Sequence, residues 1–213
     1  DGMGGHQGGE VASRLAVDAV IESLEPAIAG AAFDGTDGAI REHLERAFSL
    51  ANERIVNRRS GDPKLEKMGT TLVVAWVIDD QAHIAHVGDS RCYSLRSSQA
   101  VCLTRDDTVV QNMLEDGSIT AADVPNVPFR NVLTRAVGAV EQADPSYRRE
   151  TLEEGDVLLL CSDGLTDSVP EYRWLEIQKE SGGMERTVQA LIDAGLANEA
   201  GDNVSVVLLT LEY

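Results

Sequence analysis

TTLVVAWVIDDQAHIAHVGDSRCYSLR, residues 70–96, decides the fold. Its opening, Thr70 to Ile78, is β-branched and almost continuously apolar, the composition of a buried strand. Asp79-Asp80 interrupts the run as a turn pair. AHIAHVG and RCYSLR follow as strands, and a Ser-Ser-Gln turn leads into AVCL. Strands joined at hairpin spacing form a meander, which predicts an antiparallel sheet.

Upstream the period becomes helical. Residues 10–29 place Val11, Leu15, Ala19 and Val20 on one face, and Pro26 is expected to end or kink that helix. A second helix follows AAFDGTDG, with Ile40, Leu44, Ala47, Ala51 and Ile55 on one stripe. Ahead of both stands DGMGGHQGGE, with five glycines in its first nine residues.

Downstream, DTVVQNMLEDG reads as a short helix closed by Gly117. SITAADVPNVPFRN is Pro-rich and loop-like, and a long irregular insertion in a compact domain is often a functional flap. Strand character returns in NVLTRAVG, weakly in SYRRETL and strongly in DVLLLCS, residues 156–162. Helices fit residues 171–181 and 184–199, and NVSVVLLTL reads as a last strand. The 213 residues suit a single domain spanning 1–213. Runs of strands flanked by helices argue for an α+β fold.

The net charge of −18 opposes nucleic-acid binding, because a polyanion is repelled by such a field. No apolar run reaches the length of a membrane span. Cys92, Cys102 and Cys161 lie in apolar segments without metal spacing, so they are expected to be reduced core residues of a cytoplasmic protein. The excess of carboxylates more often marks a solvated surface than a site, but a multi-metal site also needs surplus acids, so composition does not decide between them.

The acids of interest stand where strands stop. Asp89 follows HIAHVG, Asp163 follows VLLLCS, Asp167 lies four residues later at a helix start, and Asp202 directly precedes the last strand. Asp1 begins the glycine loop. Each also has an ordinary reading: Asp163-Gly164 as a turn, Asp89 as a turn cap, Asp167 as a helix N-cap, Gly201-Asp202-Asn203 as a connection. Together, with no Cys or His cluster, they suggest all-oxygen coordination of a hard cation such as Mg²⁺ or Mn²⁺.

DGMGGH, GTTLVVAWV, HVGDSRCYSLR, LTRDD, RNVLTRAVG, DVLLLCSDGLTD and GDNVSVVLL, in this order, resemble the metal-dependent type 2C Ser/Thr protein phosphatases in their bacterial form. The resemblance implies a four-layer α/β/β/α sandwich of two antiparallel sheets flanked by helical pairs. It implies that Asp1 bridges two Mg²⁺ or Mn²⁺ ions, that the Gly2 carbonyl binds one of them, and that Asp163 and Asp202 complete the other's protein ligands. Asp89, with Asp163 and Asp167, resembles a third metal site. Residues of about 107–131 correspond to the family's flap. The implied reaction is in-line attack of water on phosphoserine or phosphothreonine, without a phospho-enzyme. Implied partners are phosphoprotein substrates, those of a bacterial Ser/Thr kinase, met by a cytoplasmic monomer.

Three departures from the family pattern stand out. The eukaryotic D-G-H loop carries a proposed general acid, but this chain has Met3 there, and Met donates no proton. His6 is the nearest candidate, with an ordinary loop histidine as the alternative. LTRDD has Asp107 where the family has His, a change expected to matter little to catalysis. In the family two further strands precede the glycine loop and carry a phosphate-gripping arginine and a metal-binding acid. The domain is therefore expected to be N-terminally incomplete here, with its substrate-binding arginine upstream of residue 1. The rival readings are a catalytically silent phosphatase-like module that binds a partner or phosphopeptide, and an acidic cation-binding domain whose motifs are only turns.

Overall fold

The computed structural model describes residues 1–4, 6–30, 33, 35–96, 99–198 and 201–211. It falls into two compact units, residues 1–74, 85–89 and 106–147 forming the first and residues 75–84, 90–105 and 148–213 the second.

The first unit is led by a short strand and two helices: β1 (Gly2–Met3), α1 (His6–Ala29) and α2 (Asp37–Arg59). β1 pairs antiparallel with β2 (Gly69–Thr70). α2 starts at an N-cap, Thr36, whose hydroxyl accepts from Ala39 N–H. It buries the expected stripe of Ile40, Leu44, Ala47, Ala51 and Ile55, together with Phe48. Each fully buried large apolar side chain contributes about 1.5–3 kcal/mol. α1 packs against α2, but its buried centre is Ala12, Ala16 and Ala19, not Val11, Leu15 and Val20. Small side chains let two helix backbones approach, so the alanines take the seam and the larger residues flank it. Val17, Ile21 and Ile28 face solvent. Pro26 does not end the helix, which continues to Ala29. It removes one N–H from an exposed turn, where solvent can take the freed carbonyl.

β3 (Leu72–Ile78) and β4 (Gln81–Val87) flank the Asp79-Asp80 turn, where Asp79 adopts a φ of 52°. With β7 (Ser146–Thr151) they form a three-stranded sheet in the order β3-β4-β7. SYRRETL is thus a full strand. NVLTRAVG is not one: only Leu133 and Val137 make isolated bridges, to Thr108 and Thr70.

The second unit carries an antiparallel four-stranded sheet, in the order β6-β5-β8-β9, of β5 (Arg91–Arg96), β6 (Gln99–Cys102), β8 (Val157–Cys161) and β9 (Val206–Thr210). Most of the Ser-Ser-Gln turn before β6, at Ser97 and Ser98, lies outside the described residues. Tyr93, Leu95, Val157, Leu159 and Cys161 of this sheet bury one face against Leu165, Trp174, Ile177 and Leu191. Those residues come from α4 (Asp163–Ser168), α5 (Glu171–Ser181) and α6 (Met184–Ala197). Trp174 stands edge-on to Tyr93 at a centroid distance of 4.9 Å. The helices expected at 171–181 and 184–199 are thus α5 and α6, with Asn198 capping the latter.

Cys92 and Cys161 are core residues, and burial pushes the Cys92 thiol up to about 12. Cys102 is exposed on the edge strand β6, contrary to expectation. The α+β class and the antiparallel pairing agree with the sequence reading. Among the described residues, no helix is long and apolar enough to cross a membrane.

Candidate metal centre

In the first unit the glycine segment is not a loop throughout. Gly2 and Met3 are strand, and His6 opens α1. The Asp1 carbonyl accepts hydrogen bonds from Thr71 N–H at 2.8 Å and from the Thr70 hydroxyl at 2.7 Å. Thr70 is itself fixed, exchanging two backbone hydrogen bonds with Val137 at 2.9 and 2.8 Å. The next residue, Gly138, donates its N–H to Asn52 Oδ1 of α2 at 2.7 Å. Asp1 is therefore tied to a buried helix through a short relay of main-chain bonds. The glycines are needed for closeness: a Cβ on Gly2 would lie 2.0 Å from the carbonyl oxygen of Gly9 in α1. The side chain of His6 lies outside the described residues.

Asp89, half-buried, follows β4 and Gly88. Gly88 sits at φ +103°, and a Cβ there would be 2.6 Å from Thr71 Cγ2, so the turn admits only glycine.

In the second unit β8 ends at Cys161, Ser162 is the N-cap position of α4, and Asp163 is the helix's first residue. Asp167 lies inside α4 and is exposed, so it is not an N-cap. Asp202 sits in an exposed turn, with β9 starting only at Val206. The structure brings Asp163 and Asp202 together: one carboxylate oxygen of each lies within 4.8 Å of the other. Asp163 Oδ1 is buried and has no hydrogen-bond partner. Burial, then the Asp202 charge, raises the Asp163 carboxyl above its usual range.

Sequence reasoning missed what holds this pair. The buried Ser162 hydroxyl donates to the Asn203 carbonyl at 3.1 Å and accepts from Ser205 N–H at 3.1 Å. Ser162 N–H also donates to Ser205 O at 3.2 Å. One residue thus joins the Asp163 turn to the Asp202 turn. Gly164 allows the closeness, since a Cβ there would be 2.2 Å from Asn203 O. The Ser before Asp163 was visible, but its partners are some forty residues away and give no local signal.

A buried carboxylate oxygen without a donor, pressed against a second carboxylate, is unfavourable in a bare protein and suits a cation. Oxygen donors alone favour a hard divalent ion over zinc or copper. The residues present therefore fit Mg²⁺ or Mn²⁺.

Known proteins agree. The family model "Protein phosphatase 2C" matches residues 1–199. The chain is 35% identical to the serine/threonine phosphatase stp of Listeria innocua over 209 residues, 98% of this chain and 81% of that protein. It is also similar to the crystal structure of the Mycobacterium tuberculosis serine/threonine phosphatase PstP/Ppp, with a TM-score of 0.87 and 35% identity over 100% of this chain and 86% of that one. The catalytic domain of PstP in complex with two manganese ions matches at a TM-score of 0.82 and 33% identity, covering 98% of this chain and 84% of that one. The chain belongs to the protein phosphatase 2C family, the metal-dependent serine/threonine protein phosphatases. Within it, the relatives it resembles are bacterial enzymes.

Proposed function

We propose that this chain removes phosphate from phosphoserine and phosphothreonine in proteins, with Asp1, the Gly2 carbonyl, Asp163 and Asp202 holding two Mn²⁺ or Mg²⁺ ions. Asp89, with Asp163 and Asp167, is assigned to a third. The observation that carries this reading is the buried, unpartnered Asp163 Oδ1 beside Asp202. When bound, such cations lower the pKa of water toward neutrality and offset phosphate charge.

The protein's own part is to fix the donors. The Thr70–Thr71 bonds hold the Asp1 main chain, and the Ser162 hydroxyl sets the spacing of the Asp163 and Asp202 turns. The leaving serine or threonine oxygen needs a proton. Met3 offers none, and His6 is the candidate donor, testable by the alkaline limb of the pH–rate profile of His6→Ala. The substrates are supplied by a serine/threonine kinase. The reduced cysteines support a cytoplasmic place, and the chain is assigned as a monomer.

The test is hydrolysis of a phosphothreonine peptide with Mn²⁺ and with EDTA. Turnover is expected only with Mn²⁺ and is expected to be lost in Asp163→Asn. Turnover unaffected by EDTA or by that substitution overturns the reading.

A further inference from the structure

The flap is a closed loop with a built neck. Its chain leaves through Asp107 and Thr108 into α3 (Val109–Glu115) and returns through Val132 to Arg135. Thr108 caps α3, its hydroxyl accepting from Gln111 N–H at 3.1 Å. Gly117, at φ +77°, follows the helix's C-cap residue Asp116. Across the neck, Val109 N–H donates to Val132 O at 2.9 Å, Thr108 bridges Leu133, and Thr134 N–H donates to Asp107 O at 2.8 Å. The flap tip holds a cavity of about 430 Å³ formed by residues 125–132, with Phe129 and Arg130 exposed.

Asp107 is where this neck meets the Asp89 turn. It is 3% exposed. Its N–H donates to Gly88 O at 3.0 Å, and its Oδ2 accepts from Gly88 N–H at 2.9 Å. Its Oδ1 forms an ion pair with Arg135 Nη1 at 3.6 Å. Arg135 in turn donates through Nη2 to the Asp144 carbonyl. One buried carboxylate therefore grips the residue before Asp89 with one oxygen and the returning segment of the flap with the other. A histidine, as in the family pattern, would have only one ring nitrogen free to accept when neutral and none when charged. The carboxylate serves both partners at once.

We propose that Asp107 is a positioning residue that locks the flap neck to the Gly88–Asp89 turn, so that flap position and cation binding at Asp89 are coupled. The proposal rests on the reading of Asp89 as a cation ligand. It gives the Asp at this place a consequence that its position in LTRDD does not suggest. Coupling is reciprocal: a cation that steadies the turn steadies the neck, and a loosened neck weakens the turn's hold on the cation.

Trypsin cleavage after the exposed Arg130 reads the flap directly, without activity. Mn²⁺ is expected to slow that cleavage in the unaltered protein by about 10-fold, within the usual range of coupling between sites. In Asp107→Asn the amide oxygen still accepts from Gly88, but the charge facing Arg135 is gone. In Arg135→Met the carboxylate stays and the cation is lost. Both variants, checked for folding by thermal melts in EDTA, are expected to bring the Mn²⁺ effect close to unity while calorimetry still detects Mn²⁺ binding. Asp89→Asn is expected to do the same. Protection retained in both neck variants overturns the coupling. So does absence of protection in the unaltered protein where Asp163→Asn shows that Mn²⁺ binds, and the phosphatase reading then stands. Failure of the unaltered protein to bind Mn²⁺ at all sinks that reading, and the coupling with it.

Discussion

At the start of the chain it is main chain that is held: the Asp1 carbonyl takes three hydrogen bonds, one from Thr70 and two from Thr71, and the relay behind them ends on α2. At the end of β8 it is the carboxylate that is enclosed: Asp163 Oδ1 is buried and unpartnered, with Asp202 beside it. The first arrangement satisfies itself without a ligand. The second does not, because desolvation and a like charge both work against the ionised form. The two kinds of support differ: one is rigid in advance, the other would be relieved by a bound cation.

The comparison can be broken most sharply at Asp163. Asp163→Asn is expected to cut Mn²⁺-dependent turnover by on the order of a thousandfold, because it removes a proposed ligand and not only its support. The same substitution is expected to leave the metal-free protein as stable or more so, measured by melting in EDTA, since it removes an unfavourable charge. A large loss of apo stability would contradict the contrast drawn above.

Gly164→Ala comes next. Its Cβ would sit 2.2 Å from Asn203 O, so the Asp202 turn must move, at a cost of about 1–3 kcal/mol in stability by denaturant unfolding, with weakened Mn²⁺ binding. Ser162→Ala removes only the hydroxyl between the two turns. A loss of about 10–100-fold in Mn²⁺ affinity by calorimetry is expected, the usual effect of removing a group that orients a ligand. Ser162→Thr keeps the hydroxyl and is expected to recover part of it. Thr70→Val is the mildest. It deletes one of three bonds to the Asp1 carbonyl, so a change of about 1 kcal/mol is expected and Mn²⁺ affinity is expected to fall less than in Ser162→Ala. Equal losses at Ser162 and Thr70 would erase the distinction between the two regions.

Much of this was legible in the sequence, for a reason visible in particular residues. β3, β4 and β5 carry alternating or continuous apolar runs with Asp79-Asp80 between them, and such local patterns set strands directly. The α2 stripe was right to the residue, because its apolar face is wide and unambiguous. The α1 face was misread by one position, because alanine carries little hydrophobic weight in a periodicity although it fits a close helix seam best. NVLTRAVG was read as a strand because its composition is strand-like. Its backbone instead serves single partners, Thr108 and Thr70, far away in sequence. Asp163 and Asp202, which the structure brings together, were picked out by their places near strand ends. Ser162, Thr70, Thr71 and Asp107 were not singled out as supports, since each acts through bonds to distant main chain that no local spacing encodes.

The pairing order β6-β5-β8-β9 has a kinetic consequence. β8, which delivers Asp163, finds its partner β5 only after the whole flap and the strand beyond it have been spanned, and β9 closes last in chain order. Such non-local closure is the slow step in sheet proteins. The Asp163–Asp202 pair therefore depends on long-range pairing, since Asp163 follows β8 and Asp202 precedes its partner β9. A Mn²⁺ ion bound by that pair would, by mass action, favour the chain in which this sheet has closed.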